Sequence, residues 1–257
     1  PMCVLVYLMV TAYNYCIGLI IASAAAVFIL LFFIPAPYGK FRRHGWGPAL
    51  PAKWAWMFME LPSPMLMIIF FNVVPENTIP QVIFIALWLL HYIPRTFIYP
   101  FRQSGGAKPF PAVVAMMAFL FNCLNGFVNG FAVFHLRDYA DGWLLSWPFM
   151  AGIILFAAGF YINKSADEKL RLLRRKNPAG YSVPRGWLFE YVSSPHYLGE
   201  TIEWLGWAVL TWSWAGLAFF VFTFANLFPR AIRSHAWYRA TFPDYPARRK
   251  SVIPFVV

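Results

Sequence analysis

Six stretches of this chain run apolar for about twenty residues or more: 12–34, 54–74, 80–99, 110–135, 143–162 and 197–228. About 20 apolar residues are what an α-helix needs to cross the hydrocarbon core of a bilayer. Within that core only helices and closed barrels satisfy their own backbone hydrogen bonds. The first five stretches fit one span each. The sixth is too long for one span and suits a tight hairpin of two. The expectation is therefore an all-α integral membrane protein of seven transmembrane helices, folded as a single domain over 1–257. Composition agrees, since only 12% of residues are charged, against roughly 25% in soluble domains.

Charge placement tests the count independently, because cytoplasmic loops are enriched in Lys and Arg. Residues 35–53 carry Lys40, Arg42, Arg43 and Lys53 and no acid, whereas the next connection carries only Glu76. Arg95, Arg102 and Lys108 follow, then an external-looking segment where Arg137 stands against Asp138 and Asp141. Residues 163–196 and the tail from Pro229 are again basic. The alternation places the N-terminus outside and the C-terminus in the cytoplasm. It also accounts for the net charge of +11 without nucleic acid as a partner. Cys3, Cys16 and Cys123 have no CxxC spacing, so neither a disulfide framework nor a metal site is indicated.

Three acids are left inside the spans: Glu60, Glu200 and Glu203. An intramembrane carboxyl costs roughly 2.5–3.5 kcal/mol on insertion scales and marks a functional site when a partner can be named. In SSPHYLGETIEW (193–204), Ser194 and Pro195 read as N-cap and first helical residue, which puts His196 and Glu200 on one face. They either face a polar ligand at the helix N-terminus or pair with each other. In HYIPRTFIYPF (91–101), Pro94 should bend the helix, and Tyr92, Arg95 and Tyr99 share a face. That face belongs to the bundle interior or to an interfacial belt. In the polar loop 158–186, Asn163, Asp167, Arg171 and Arg174 lie at helical spacing. They suit a ribose and phosphates, or a solvated helix with Asp167 paired to Arg171. Arg230, His235, Tyr238 and Arg249 in the tail are similar phosphate-ready groups. No glycine-rich Rossmann fingerprint is present.

Taken together, PYGK (37–40), LPAKWAWMFMELPS (50–63), HYIPRTFIYP (91–100), DGW (141–143), N-x-x-x-D (163–167), PRGWLFEYVSSPHYLGETIEW (184–204), and RAxxxHxWY with DYPxxRKxxIPF in the tail resemble the steroid 5α-reductase family over nearly the whole chain. The resemblance implies a membrane enzyme that holds NADPH and reduces the 4,5 double bond of a 3-oxo-4-ene steroid. By matching positions, Glu60 and Tyr92 would meet the steroid C3 oxygen, and Tyr38 and Trp56 would line the same pocket. Arg95, Tyr99, Asn163, Asp167, Arg174, His196, Glu200, Arg230, His235, Tyr238 and Arg249 would fall on the cofactor. Some steroid-reducing members carry Arg where Ser182 stands and Asn where His196 stands. Reducing a conjugated enone pushes charge onto its carbonyl oxygen. A protonated Glu60 beside the Tyr92 hydroxyl would then form an oxyanion hole of the kind known in ketosteroid isomerase, a different fold.

The partners implied are a steroid or related lipid enone and the bilayer, with the protein a monomer. The membrane would be the inner membrane in a bacterium or the endoplasmic reticulum in a eukaryote. Two other classes share features of the chain. An isoprenylcysteine-type methyltransferase would use S-adenosylmethionine and resembles the P-H-Y-x-G-E segment, but would lack the Glu60 and Tyr92 segments. A seven-helix receptor or transporter shares the topology, but the polar residues here crowd one side of the membrane.

Overall fold

Apolar length builds long helices here, and prolines and short polar turns end them. The computed structural model describes residues 2–102, 109–178 and 180–257, with side chains from Tyr7 onward; Lys108 and the Cys3 side chain lie outside this set. Helix α1 (Met2–Phe33) is followed by a short turn and strand β1 (Ala49–Pro51), then α2 (Ala52–Glu60), α3 (Pro62–Val73), α4 (Ile79–Ile93) and α5 (Tyr99–Arg102). Strand β2 (Pro109–Pro111), α6 (Ala112–Phe131), α7 (Trp147–Lys176), α8 (Pro195–Thr211) and α9 (Trp214–Thr241) complete the order. Strands β1 and β2 pair antiparallel, Leu50 opposite Phe110, and tie together the segments that lead into α2 and α6.

Among the described residues, six helical stretches are long and apolar enough to cross a membrane: Tyr7–Phe33, Ala52–Val73, Ile79–Arg102, Ala112–Leu136, Trp147–Lys176 and Trp214–Thr241. They form an all-α membrane protein. The run 197–228 folds as two helices, α8 and α9, which meet at Trp212 in the left-handed conformation (φ 46°), and of the two only α9 is among these six stretches. Helix α8 has 17 residues, about 26 Å at 1.5 Å per residue.

One expectation needs correction here. Residues 158–176 are not a loop: α7 continues through them to Lys176, because no Gly or Pro interrupts the run from Phe160 and its many Lys, Arg, Glu and Leu residues are good helix formers. At Pro94 the helix changes form without ending. The chain passes through one π-helical turn, Pro94–Ile98, and continues as α5, the wider turn absorbing the bond that proline cannot donate.

The tightest contact is between α7 and α8. Gly152 and Gly159 face Gly199 and Gly206, and a Cβ on any of them would collide with backbone of the opposite helix. Small residues at such a crossing let two membrane helices approach closely, where dispersion and packing rather than hydrophobic burial hold them. The aromatic core fills the space beside this pair. Trp88 and Trp207 are fully buried, and Trp204 lies 4.3 Å from Phe219 and 5.5 Å from Trp88, ring centre to ring centre. The outer surface is apolar, with Leu19, Leu120 and Ile154 exposed, as a lipid-facing surface requires.

Candidate active site

At the polar ends of these helices lies a cavity of about 360 Å³, within the 300–1,000 Å³ range of small-molecule sites. Its aromatic wall is built on the β1–β2 tie, with Tyr38 5.1 Å from Phe110 and Trp56 5.0 Å from Tyr99. The opposite wall comes from α7, the start of α8, and α9. Of the sequence-nominated residues, Tyr38, Trp56, Arg95, Tyr99, Asp167, Arg171, Arg174, His196, Glu200, Arg230 and Tyr238 all line it. Glu60, Tyr92, Asn163, His235 and Arg249 do not, and each is placed behind the wall.

Among the described residues, seven basic side chains line the cavity, against the two carboxylates Asp167 and Glu200. Several of the cations rest on aromatic faces. Arg230 lies over the rings of Tyr38 (5.2 Å) and Tyr197 (5.1 Å), and Arg174 over Tyr181 (5.4 Å). The i,i+4 pair expected between Asp167 and Arg171 is not made. Arg171 donates instead to Glu168, its Nε at 2.7 Å from Oε2, and Arg102 reaches the same carboxylate at 3.2 Å. Asp167 is thereby left facing the cavity.

The start of α8 supplies groups without partners. Ser194 sits at the N-cap but makes no capping hydrogen bond through its side chain. Its Oγ, His196 Nδ1 and Asn163 Oδ1 are all buried with no hydrogen-bond partner. Asn163 Nδ2 donates to the His196 carbonyl at 3.0 Å, which joins α7 to α8 at this point. His196 and Glu200 do not pair with each other. Glu200 lies 3.6 Å from Arg95 Nη1.

Arg95 connects the cavity to its inner side. Its Nε donates to Glu60 Oε1 at 2.9 Å, so the partner of the buried Glu60 is an arginine on the cavity wall. Glu60 is the last residue of α2, and Pro64 denies its carbonyl the usual i+4 donor. Asn122 on α6 donates to the preceding carbonyl, that of Met59, at 2.7 Å. Tyr92 is nearly fully buried, stacked 5.0 Å from Trp88, and within electrostatic range of both Glu60 and Arg95. Glu203 also has a partner, His91 Nδ1 at 2.7 Å, with both side chains excluded from solvent.

A strap formed by the C-terminal tail closes the end of the cavity. Ser193 Oγ contacts His235 Nδ1 and Tyr245 Oη, each at 2.6 Å, and the Ser193 amide donates to the Lys250 carbonyl at 2.8 Å. Under the strap, Arg249 is 2% exposed. Among the described residues its three guanidinium nitrogens have no hydrogen-bond partner, and its charge lies over the Tyr245 ring at 4.9 Å. A buried charge left this way is costly unless a counter-charge meets it.

Sequence reasoning missed His91, Lys40, Tyr197 and the buried asparagines of α6. The last group did leave a signal. Asn122, Asn125 and Asn129 recur at three and four residues within an apolar run, and Asn129 Oδ1 accepts from Trp207 Nε1 at 2.8 Å.

A bundle of apolar helices with a cation-rich chamber at their polar ends, backed by an intramembrane acid held on an arginine, defines a multi-pass membrane protein with a basic cavity. The family model for 3-oxo-5-alpha-steroid 4-dehydrogenase matches residues 108–257. The chain is 46% identical over 254 residues to the steroid 5-alpha-reductase DET2 of Arabidopsis thaliana, covering 96% of this chain and 97% of that one. It is 41% identical over 241 residues to 3-oxo-5-alpha-steroid 4-dehydrogenase 1 of Bos taurus (92% and 93% covered), and 40% over 210 residues to that of Homo sapiens (80% and 81%). The chain belongs to the 3-oxo-5-alpha-steroid 4-dehydrogenase family, oxidoreductases acting on CH–CH bonds.

Proposed function

We propose that this chain reduces the 4,5 double bond of 3-oxo-4-ene steroids to 5α-3-oxosteroids with NADPH. It does so as a single seven-span domain, monomeric, with its N-terminus outside and its C-terminus in the cytoplasm. In this topology α8 is the sixth span and α9 the seventh. The observation that carries the reading is the cation-rich chamber whose wall residue Arg95 holds Glu60.

The chamber suits a phosphorylated dinucleotide on three grounds. Basic side chains outnumber acids around it. Unpartnered Ser194 Oγ, His196 Nδ1 and Asn163 Oδ1 collect at the α8 N-terminus, where the helix dipole favours phosphate. Arg249 is a buried guanidinium without an acceptor. On this reading Arg174, Arg230 and Arg249 hold phosphates. Asn163, Asp167, Arg171, His196, Glu200, His235, Tyr238 and Tyr99 hold the ribose and nicotinamide parts. Bound there, NADPH supplies a hydride for C5.

The chain's own residues manage the charge and the proton. Tyr38 and Trp56 present an apolar face to the steroid. As charge develops on the C3 oxygen, the Tyr92 hydroxyl donates a hydrogen bond to it. Glu60 donates too once its carboxyl carries a proton. In the structure Glu60 accepts from Arg95 through Oε1, so its second carboxyl oxygen is the one that carries the proton and donates the hydrogen bond to substrate. The proton that completes the reduction goes to C4.

The test uses purified protein in lipid nanodiscs, supplied with NADPH and a 3-oxo-4-ene steroid. The expected outcome is NADPH oxidation matched by a 5α-3-oxosteroid on mass spectrometry, and a melting temperature raised by NADPH. A melting temperature raised by S-adenosylmethionine and not by NADPH would overturn the reading.

A further inference from the structure

Lys40 has no part in the reading above, yet it lines the chamber. It lies on the turn that follows α1, where Gly39 takes φ 61° and folds the chain back beneath the ends of α7 and α9. Its ammonium sits 4.3 Å from the ring centre of Trp237, 4.4 Å from Tyr238 and 5.3 Å from Phe41. Tyr181 packs against Trp237 at 5.2 Å and carries Arg174 on its own face. The result is a box of aromatic rings holding two cations.

No carboxylate among the described residues is within ion-pair distance of Lys40. The ionisable groups that face it are Arg174 from α7, His196 from α8 and Tyr238 from α9. None of them carries a negative charge at neutral pH. Aromatic faces favour a cation by about 0.5–2 kcal/mol, but they accept no hydrogen bond from it. Burial, reinforced by Arg174, brings the Lys40 ammonium down to about 7.

We infer that Lys40, together with Arg174, binds a phosphate of the dinucleotide, and that this binding takes up a proton on the Lys40 amine. The inference rests on the cofactor reading. A phosphate placed between the two cations supplies the missing counter-charge and an acceptor for the ammonium, so the bound state keeps Lys40 protonated across the neutral range. The sign of the linkage follows. Well below pH 7 the amine already carries its proton, and binding takes up none. Above pH 7 the free amine is mostly neutral, so binding must draw a proton from solvent and weakens as pH rises. With a free value of about 7, uptake is roughly half a proton at pH 7 and about 0.9 at pH 8. Affinity falls about fivefold between those two values.

Calorimetric titration of NADP⁺ into the full-length protein, in two buffers of different ionisation enthalpy at pH 6, 7 and 8, counts the protons taken up. The unmodified protein should show uptake rising with pH. In Lys40→Arg, whose guanidinium stays charged, NADP⁺ should still bind, but that uptake and the fivefold loss should disappear. Lys40→Met should bind weakly at all three values. Repeating the titration with NAD⁺ tells which phosphate is held: uptake with both ligands assigns the pyrophosphate, and uptake with NADP⁺ alone assigns the 2′-phosphate. Binding with equal proton counts in the unmodified protein and Lys40→Arg overturns the Lys40 assignment alone. No NADP⁺ binding by the unmodified protein removes the cofactor reading and this inference with it.

Discussion

Removing the Glu60 side chain separates a structural role from a chemical one, because the structure shows what the carboxylate does before any substrate is considered. It accepts the Nε–H of Arg95 at 2.9 Å, and the next acceptor for that guanidinium, Glu200, is at 3.6 Å, too long for a good hydrogen bond. Hydrogen bonds to charged groups contribute about 1.5–3 kcal/mol. The Arg95 side chain is 24% exposed, so water offsets part of the loss, and Glu60→Ala should lower stability toward the bottom of that range. The chemical effect should be larger, since losing one donor to a developing oxyanion typically costs about 10²–10³ in kcat. Glu60→Gln tells the two apart. Its carbonyl oxygen can still accept from Arg95 and its amide can still donate to a substrate oxygen, although the amide brings no negative charge to meet the guanidinium. It should fold like the unmodified protein and keep roughly a tenth of the activity. The assay is steroid-dependent NADPH oxidation in nanodiscs, with thermal unfolding followed on the same samples. If Glu60→Ala reduces a 3-oxo-4-ene steroid at the unmodified rate, the carboxylate serves only to hold Arg95 and the mechanism is wrong.

Four further outcomes are expected. Tyr92→Phe should be nearly inactive while binding NADPH normally in a thermal-shift titration; retained turnover would exclude the hydroxyl as the donor. Arg249→Met should raise the melting temperature without cofactor, because an unpaired buried charge is removed, and should weaken NADPH binding by about 10–100-fold; unchanged affinity would show that no phosphate reaches Arg249. Gly199→Leu should fail to accumulate as folded protein, since its side chain would occupy the Asn163 backbone; a normal melting temperature would mean that α7 and α8 do not touch there. Tags after Val257 and near Lys176 should be cytoplasmic and one beside Asp141 external, so finding the Lys176 and Asp141 tags on one side would refute the seven-span topology.

Helix positions were legible in the sequence because a bilayer imposes a length and a polarity that each segment must satisfy by itself. The apolar runs anticipated the spans, and the uninterrupted stretch 197–228 anticipated the α8–α9 turn. Most nominated site residues also reached one chamber, because i,i+3 and i,i+4 spacing sets which side chains share a helix face. Spacing along one helix carries no information about what stands opposite. It could not say that Glu60 is held by Arg95, that Glu203 is held by His91, or that Arg171 turns to Glu168 and leaves Asp167 to the cavity. It could not show that Ser194 withholds its hydroxyl from capping, nor that Lys40 is enclosed by rings from α9. Those pairings depend on how closely the helices approach, and at α7 and α8 four glycines determine that distance. Each of the four is an unremarkable residue in the sequence, and only the opposite backbone, brought against it by the tertiary fold, makes its missing side chain matter.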